Sequence, residues 1–305
     1  MARRKRGRRI DGILILDKPQ GYSSNGALQQ CRRALDAQKA GHTGALDPLA
    51  TGVLPICFGE ATKFSQYLLD ADKAYLATIC LGETRTTGDA EGDVLDTVNA
   101  SHLSRALVEV AMQNFRGAIK QVPPMYSALK KDGQPLYKLA RQGIEVEREA
   151  RDVIIDTFEL RAFSAGERAF CQVFVRCSKG TYIRSLAEDL GALLGVGAHL
   201  TALRRTQAGP FELSQSMTLE HVQSVGEDLV SALLPMDAGL QHLPRLCLDD
   251  QEVEKLLHGQ RVNVLNDTNS GIVRVARASS EFVGLARASK GGEIAPLRMI
   301  ATHEG

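Results

Sequence analysis

Tryptophan is missing from the 305-residue chain, and all aromatic residues together make up only 5% of it. Stacking of many bases on exposed aromatic platforms is therefore not the expected mode of action. The six cysteines form no CxxC pair, and the seven histidines are scattered, with neither HExxH nor a Cys/His cluster. No metal site is expected. Several of Cys31, Cys57, Cys80, Cys171, Cys177 and Cys247 fall in apolar runs, the pattern of small core residues in a reducing, cytoplasmic compartment. No glycine-rich loop ends in GK[ST] and no GxGxxG opens a helix, which disfavours nucleoside triphosphate chemistry. No apolar run approaches membrane-spanning length, and the run at 12–16 is too short for the core of a signal peptide.

What remains is an ordinary globular composition, 44% hydrophobic and 24% charged, in a chain long enough for one large domain and one small one. The net charge of +1 is unevenly spread. Residues 1–9 (MARRKRGRR) carry six of the 37 Lys and Arg and no acid, leaving 31 bases against 36 acids elsewhere. Such an arm suits contact with a polyanion and is expected to be disordered on its own.

Periodicity predicts a short strand at 12–16, ended by the turn sequence Asp17-Lys18-Pro19-Gln20-Gly21, then a helix capped by Ser23 or Ser24 with Leu28, Cys31 and Leu35 at helical spacing. Strands follow at 53–58 and 73–81 (KAYLATICL), with a helix over 60–69 between them. The Gly-, Thr- and acid-rich stretch 82–96 reads as a solvent loop, and Ser101 opens a helix with Leu103, Leu107 and Val110 on one face. Residues 121–143, mixing Pro, Gly and aromatics with Lys and Arg, read as an excursion from the core. In the strand at 168–177, Ala169, Cys171, Val173, Val175 and Cys177 repeat with period two, beside a strand at 151–160. A turn at 178–181 leads into a helix with a buried stripe of Ile183, Ala187, Leu190 and Leu194. After residue 240, five short strands around a helix at 250–257 suggest a small β-barrel. The fold class is α+β.

Four places could carry chemistry. Asp47 lies in GHTGALDPLATGVLP (41–55), where Gly and Pro are dense enough to fix turns and admit close backbone approach. An acid in such a loop is either a turn residue or a working group, and His42 beside it is either a base-stacking ring or an ordinary loop histidine. CSKGTYIRSLAEDL (177–190) puts Lys179, Tyr182 and Arg184 at a strand-to-helix junction. A cation at a helix start gains nothing from the dipole, so Arg184 is either a surface residue or paired with an anion, Asp47 being a candidate. Tyr75 is a strand aromatic, and Lys130, Lys131, Lys138 and Arg141 give the 121–143 excursion a positive charge suited to a polyanion or to solvent.

The run GHTGALDPLATGVLPICFGEATK (41–63) closely resembles the signature loop of the bacterial tRNA pseudouridine synthase B family. DGILILDKPQGYSS (11–24), KAYLATICLGETRTTGDAEGD (73–93), VPPMYSALKKDGQPLYKLARQG (122–143) and CSKGTYIRSLAEDLG (177–191) fit that family in the same order. The resemblance implies a catalytic domain at 10–240, built on a mixed, largely antiparallel sheet flanked by helices, with an RNA-gripping insertion at about 122–150. A small PUA-like RNA-binding domain at 241–305 is implied by position and texture; the basic arm is not part of the pattern. The implied reaction converts uridine to pseudouridine in the T-arm loop of tRNA, with no cofactor and no metal. Asp47 is implied as the catalytic aspartate and Arg184 as its partner. Tyr75 is implied to stack on the flipped base and is a candidate for moving the C5 proton; His42, Tyr182 and the backbone around Leu203 would line the uridine pocket. Lys130, Lys131, Lys138, Arg141 and Lys179 are the expected RNA contacts.

Base flipping accounts for the need for a pocket, and a nearby guanidinium would favour the ionised carboxylate despite burial. Competing readings are a related isomerase acting on ribosomal RNA with partner proteins, a non-catalytic RNA-binding or RNA-folding protein, and a carboxylate glycosidase using Glu60 as second acid. A monomer is expected, since no heptad or long apolar edge advertises a partner.

Overall fold

The computed structural model describes residues 7–264 and 270–301. Residues 1–6 of the basic arm lie outside the described residues. Arg8 lies against the body: its N–H donates to Asp36 O (2.6 Å), its carbonyl accepts from Gln38, and its side chain pairs with Glu227 at 2.7 Å. The disorder expected of the arm therefore does not reach Arg8.

In chain order the first strands are β1 (Gly12–Lys18), β2 (Ala40–His42), β3 (Thr51–Phe58), β4 (Lys73–Leu81), β5 (Glu83–Arg85), β6 (Val94–Thr97) and β7 (Gly117–Gln121). They continue as β8 (Lys130–Lys131), β9 (Gln134–Pro135), β10 (Arg151–Ser164), β11 (Ala169–Cys177), β12 (Ala198–Ala208), β13 (Phe211–Glu212) and β14 (Met217–Thr218). The helices here are α1 (Ser24–Ala34), α2 (Ser65–Leu69), α3 (Arg105–Met112), α4 (Leu136–Ala140), α5 (Ile183–Leu193) and α6 (Leu219–Val225). One ten-stranded sheet runs β14-β1-β3-β12-β4-β11-β10-β7, with β2 added to β3 and β13 to β12. Its pairs are antiparallel except β1 with β14 and β3 with β12, so the expected mixed, largely antiparallel sheet is present.

The alternation read in β11 is the reason the sheet has a core side. Cys171, Val173 and Val175 are buried with Leu28 and Cys31 of α1 and with Leu186, Ala187 and Leu190 of α5. Leu76 and Phe170, on the opposite side of the pleat, remain exposed. α1 and α5 thus cover one face, while Leu68 of α2 packs with Ile13, Ile15, Val53 and Cys57 on the other face of β1 and β3.

Three local expectations are corrected. The helix at 60–69 begins as a 3-10 turn, Gly59–Phe64, and only α2 is α-helical. The helix expected from Ser101 is α3, capped by Ser104. It buries Val108, Ala111 and Met112, whereas Leu107 and Val110 of the expected stripe face solvent. Packing against β10 chooses that side, and the apolar set on the other face stays exposed. The 82–96 stretch is a β5–β6 hairpin and not a solvent loop, for it buries Glu83 and Asp89. Glu83 is held by Arg85 and Arg168, each at 2.7 Å, so a buried acid there is compensated.

The C-terminal part comprises β15 (Arg245–Leu248), α7 (Asp250–Leu257), β16 (Val262–Asn263), β17 (Gly271–Arg277), β18 (Phe282–Ala288) and β19 (Glu293–Met299). Its strands form a separate sheet, β15-β17-β18-β19-β16, with Val253 and Leu256 of α7 in its own core. A capping box between Asp249 and Glu252 starts α7. The two parts meet where Phe64 packs edge-on against Phe282, ring centres 5.1 Å apart. Asp237 and Arg274 pair across the same junction at 2.8 Å.

Candidate active site

The loop between β2 and β3 is held by its neighbours on both sides of Asp47. Leu46 exchanges two hydrogen bonds with the Ser24 hydroxyl, donating its N–H at 2.7 Å and accepting at its carbonyl at 3.0 Å. Pro48 O accepts from Gly21 N–H at 2.8 Å, and the Lys18 ammonium lies 3.5 Å from the same oxygen. Arg205 donates to Gly44 O at 3.0 Å. A loop without regular structure is thus tied down through backbone groups on both sides of its aspartate. Ser23 caps α1, which leaves the neighbouring Ser24 free for the loop.

Arg184 enters from the first turn of α5. It is 4% exposed and donates to Thr87 O (2.9 Å) and Tyr126 O (2.6 Å). Its Nη2 pairs with the Asp47 carboxylate at 3.0 Å, and its Nε lies 3.7 Å from Asp89. The alternative of a surface arginine is excluded by this burial. Two carboxylates therefore share one guanidinium. Asp89, in the hairpin read from sequence as solvent-exposed, was missed; the acid-rich turn GDAEGD gives no sign of which acid is buried.

Burial pushes the Asp47 pKa up, Arg184 opposes the shift, and Asp89 adds to it. Desolvation is the larger influence, and the guanidinium favours the ionised carboxylate in the direction expected of it. The side chain still keeps 41% of its surface open to solvent, however, so water screens these effects while the cleft is empty. Lys18 is fully buried with its ammonium on the carbonyls of Pro19 and Tyr22, and desolvation lowers its pKa to about 8.

Asp47 lies in an open cleft of about 620 Å³, lined also by Tyr75, Tyr182, Arg184, Leu203 and Arg205. Tyr75 comes from β4 and Leu203 from β12, which are hydrogen-bonded neighbours. Tyr182 is set by the buried side chain of Gln121, which accepts from its N–H (2.7 Å) and donates to its carbonyl (3.0 Å). Five of the six proposed pocket residues thus meet in one cavity. His42 is not among its lining; it sits on β2 with a buried Nδ1 that has no hydrogen-bond partner, and burial lowers its pKa. Of the expected RNA contacts, Lys130 and Lys131 form the exposed strand of a small hairpin, and Lys138 and Arg141 lie exposed on and just after α4. Arg141 covers the Tyr137 ring at 5.6 Å. Lys179 is engaged by Asp70 at 2.8 Å across the cleft rim.

Residues 32–183 match the model described as TruB family pseudouridylate synthase (N terminal domain). Residues 184–241 match the tRNA pseudouridylate synthase B C-terminal domain, and 244–300 match Pseudouridine synthase II TruB, C-terminal. The tRNA pseudouridine synthase B of Ectopseudomonas mendocina (strain ymp) is 56% identical over 308 residues, covering 99% of each chain. This chain belongs to the TruB family of pseudouridylate synthases. A second relative, tRNA pseudouridine synthase B of Pseudomonas aeruginosa (strain UCBPP-PA14), is 55% identical, covering 98% of this chain and 99% of its own.

Among solved structures, a Cbf5-Nop10-Gar1 complex matches with a TM-score of 0.69 at 27% identity, over 94% of this chain and 84% of that one. An H/ACA RNP bound to a substrate RNA containing 2'-deoxyuridine gives 0.69 at 24% identity, over 100% and 92%, and shares the fold. The TruB-family fold therefore spans both sheets described here. Within it, Ser24, Lys18, Asp89, Gln121 and Arg205 support the cleft and were not singled out from the sequence. Each has a partner between 22 and 161 residues away in the chain, beyond any local pattern.

Proposed function

We propose that this chain isomerises uridine to pseudouridine in the T-arm loop of tRNA, at the position usually numbered 55, with Asp47 as the nucleophile. The observation that carries this reading is the Arg184–Asp47 pair at 3.0 Å in a cleft shared with Tyr75, Tyr182 and Leu203. The relatives named tRNA pseudouridine synthase B support the substrate class. The target base flips out of its loop into the cleft, at an unstacking cost of a few kcal/mol. The Asp47 carboxylate is the attacking group whether the bond forms to the uracil ring or to the ribose. Arg184, fixed by two carbonyls, holds that carboxylate toward the open side. Tyr75 and Tyr182 flank the base, Leu203 offers backbone from β12, and His42 orders the rim. The detached uracil turns and is rejoined through C5.

In this reading residues 10–240 carry the chemistry, the insertion at about 122–150 grips RNA through Lys130, Lys131, Lys138 and Arg141, and Lys179 exchanges Asp70 for phosphate. Residues 241–305 add a PUA-like RNA contact. The enzyme works as a monomer in the cytoplasm and needs no metal or cofactor.

The test uses a T-arm stem-loop RNA tritiated at uracil C5, with wild-type protein and with Asp47→Asn. Wild type releases tritium and leaves the modification at the T-loop uridine, and Asp47→Asn slows release by at least about 1000-fold. Equal release by both proteins removes Asp47 from the mechanism. RNA binding without release by wild type favours a non-catalytic RNA-binding role.

A further inference from the structure

Among the described residues the largest fully buried side chain is charged: Arg205, 1% exposed, at the floor of the cleft. Its Nε donates to Val53 O at 2.7 Å and its Nη2 to Gly44 O at 3.0 Å. In the sheet it stands opposite Tyr75 of β4 on one side and Gly52 of β3 on the other. A Cβ at Gly52, where φ is +102°, would lie 2.1 Å from Arg205 O, so only glycine lets these strands close on the arginine.

Unlike Arg184, Arg205 has no carboxylate partner among the described residues; the ionisable group that interacts favourably with it is Tyr75, its direct neighbour across the strands and beside it in the cleft lining. An arginine held in the interior without an anion is costly, and an aliphatic side chain would fill the volume more cheaply. Its retention calls for an anion that exists only part of the time. Burial pushes the Tyr75 phenol up and Arg205 pulls it down, so the arginine favours the phenolate.

We infer that Arg205 is a positioning residue for Tyr75: it aims the tyrosine oxygen into the cleft and supplies its counter-charge, as Arg184 does for Asp47. This rests on the isomerase reading above. Once uracil has been rejoined through C5, that carbon carries the new bond to C1′ and still its hydrogen. The C5–H bond breaks, the proton passes to the Tyr75 phenolate, and the electron pair forms C5=C6. The C6=N1 π pair then moves to N1, which takes up a proton from water, or, where Asp47 is bonded to C6, that C–O bond breaks and frees the carboxylate. Tyr75 then returns its proton to solvent. The site is thus divided between two buried arginines, one serving the attack and the other the final proton transfer.

The experiment separates those halves with two T-arm RNAs. A uridine deuterated or tritiated at C5 reports loss of the C5 hydrogen. A 5-fluorouridine can be detached and rejoined but has no proton to lose at C5. In Arg205→Lys, C5 hydrogen release is expected to fall about 100-fold and to acquire a primary isotope effect, while rearrangement of the 5-fluoro substrate stays within about threefold of wild type. Equal losses on both RNAs with no isotope effect mean that Arg205 only supports the Gly44 loop, and the inference is overturned. Release at the wild-type rate overturns it as well. Failure of wild type on both RNAs instead removes the isomerase reading.

Should Arg205→Lys not fold, Tyr75→Phe gives an independent reading in a protein that keeps the arginine. The guanidinium ¹⁵N resonances of Arg205 are expected to move when the tyrosine oxygen is removed. Unmoved resonances show that no interaction links the two and sink the proposal.

Discussion

At the scale of single residues, Asp47 and its surroundings carry opposite demands of function and stability. Its pKa is raised in the folded protein above the ordinary value of 3.8, burial being the largest cause. The protonated form therefore gains on folding: the contribution to stability is present below the unfolded pKa and is lost as pH rises through the folded one. Asp47→Asn is accordingly expected to keep or raise Tm at pH 7, leaving Arg184 with Asp89, while activity disappears. A fall of more than about 5 °C in calorimetry would contradict this. The same upward shift places the acid limb of the pH–rate profile above the usual aspartate range, which stem-loop kinetics between pH 4 and 8 will show.

Two lysines make a second residue-scale prediction. Lys18 and Lys73 are buried with their ammonium groups on backbone carbonyls, and desolvation, the leading cause, brings each to about 8. Each contributes stability above its unfolded pKa that is lost as pH falls through about 8. NMR titration of ¹³Cε-labelled lysine is expected to show two residues titrating well below the rest. Uniform titration near 10.5 would refute the burial argument.

At the scale of elements, α3 shows why an apolar stripe is not always the buried one. Leu103 is buried just before the helix, but Leu107 and Val110 on it are exposed, while Met112 is fully buried. Leu107→Gln and Val110→Gln are expected to change stability by less than about 0.5 kcal/mol. Met112→Ala is expected to cost about 2–4 kcal/mol by removing packing from the main core. Urea unfolding of the three variants tests the assignment, and a reversed order would restore the stripe read from sequence. The β5–β6 hairpin carries the same lesson in polar residues. Its acids looked solvated because nothing local marked Arg168 and Arg184, far along the chain, as their partners.

At the scale of the whole molecule, the C-terminal sheet has its own core yet leans on the first part. Phe64, Leu240 and Leu285 make a buried cluster between the two, and Lys63 donates to Met299 O at 3.0 Å. A chain ending at residue 240 would expose Phe64, now 2% accessible, and is expected to melt several degrees lower. If residues 241–305 add RNA contact away from the cleft, the shortened chain should process an isolated T-arm stem-loop within about threefold of the full rate. Its KM for intact tRNA should rise about tenfold or more. Equal losses on both RNAs would place the C-terminal part in the catalytic architecture.

By itself the sequence determined the family, the α+β order of elements, the period-two core face of β11 and the loop that holds Asp47, because these rest on contiguous motifs and local periodicity. It also brought Asp47, Tyr75, Tyr182, Arg184 and Leu203 into one candidate set by resemblance. Only the tertiary structure decided which side of α3 is buried, that Asp89 shares Arg184 with Asp47, that Ser24 and Gln121 set the cleft backbone, and that Arg205 stands opposite Tyr75 with no carboxylate partner among the described residues. Burial and charge pairing are properties of the assembled space. Residues far apart in the chain set them together, so neither composition nor spacing could have displayed them.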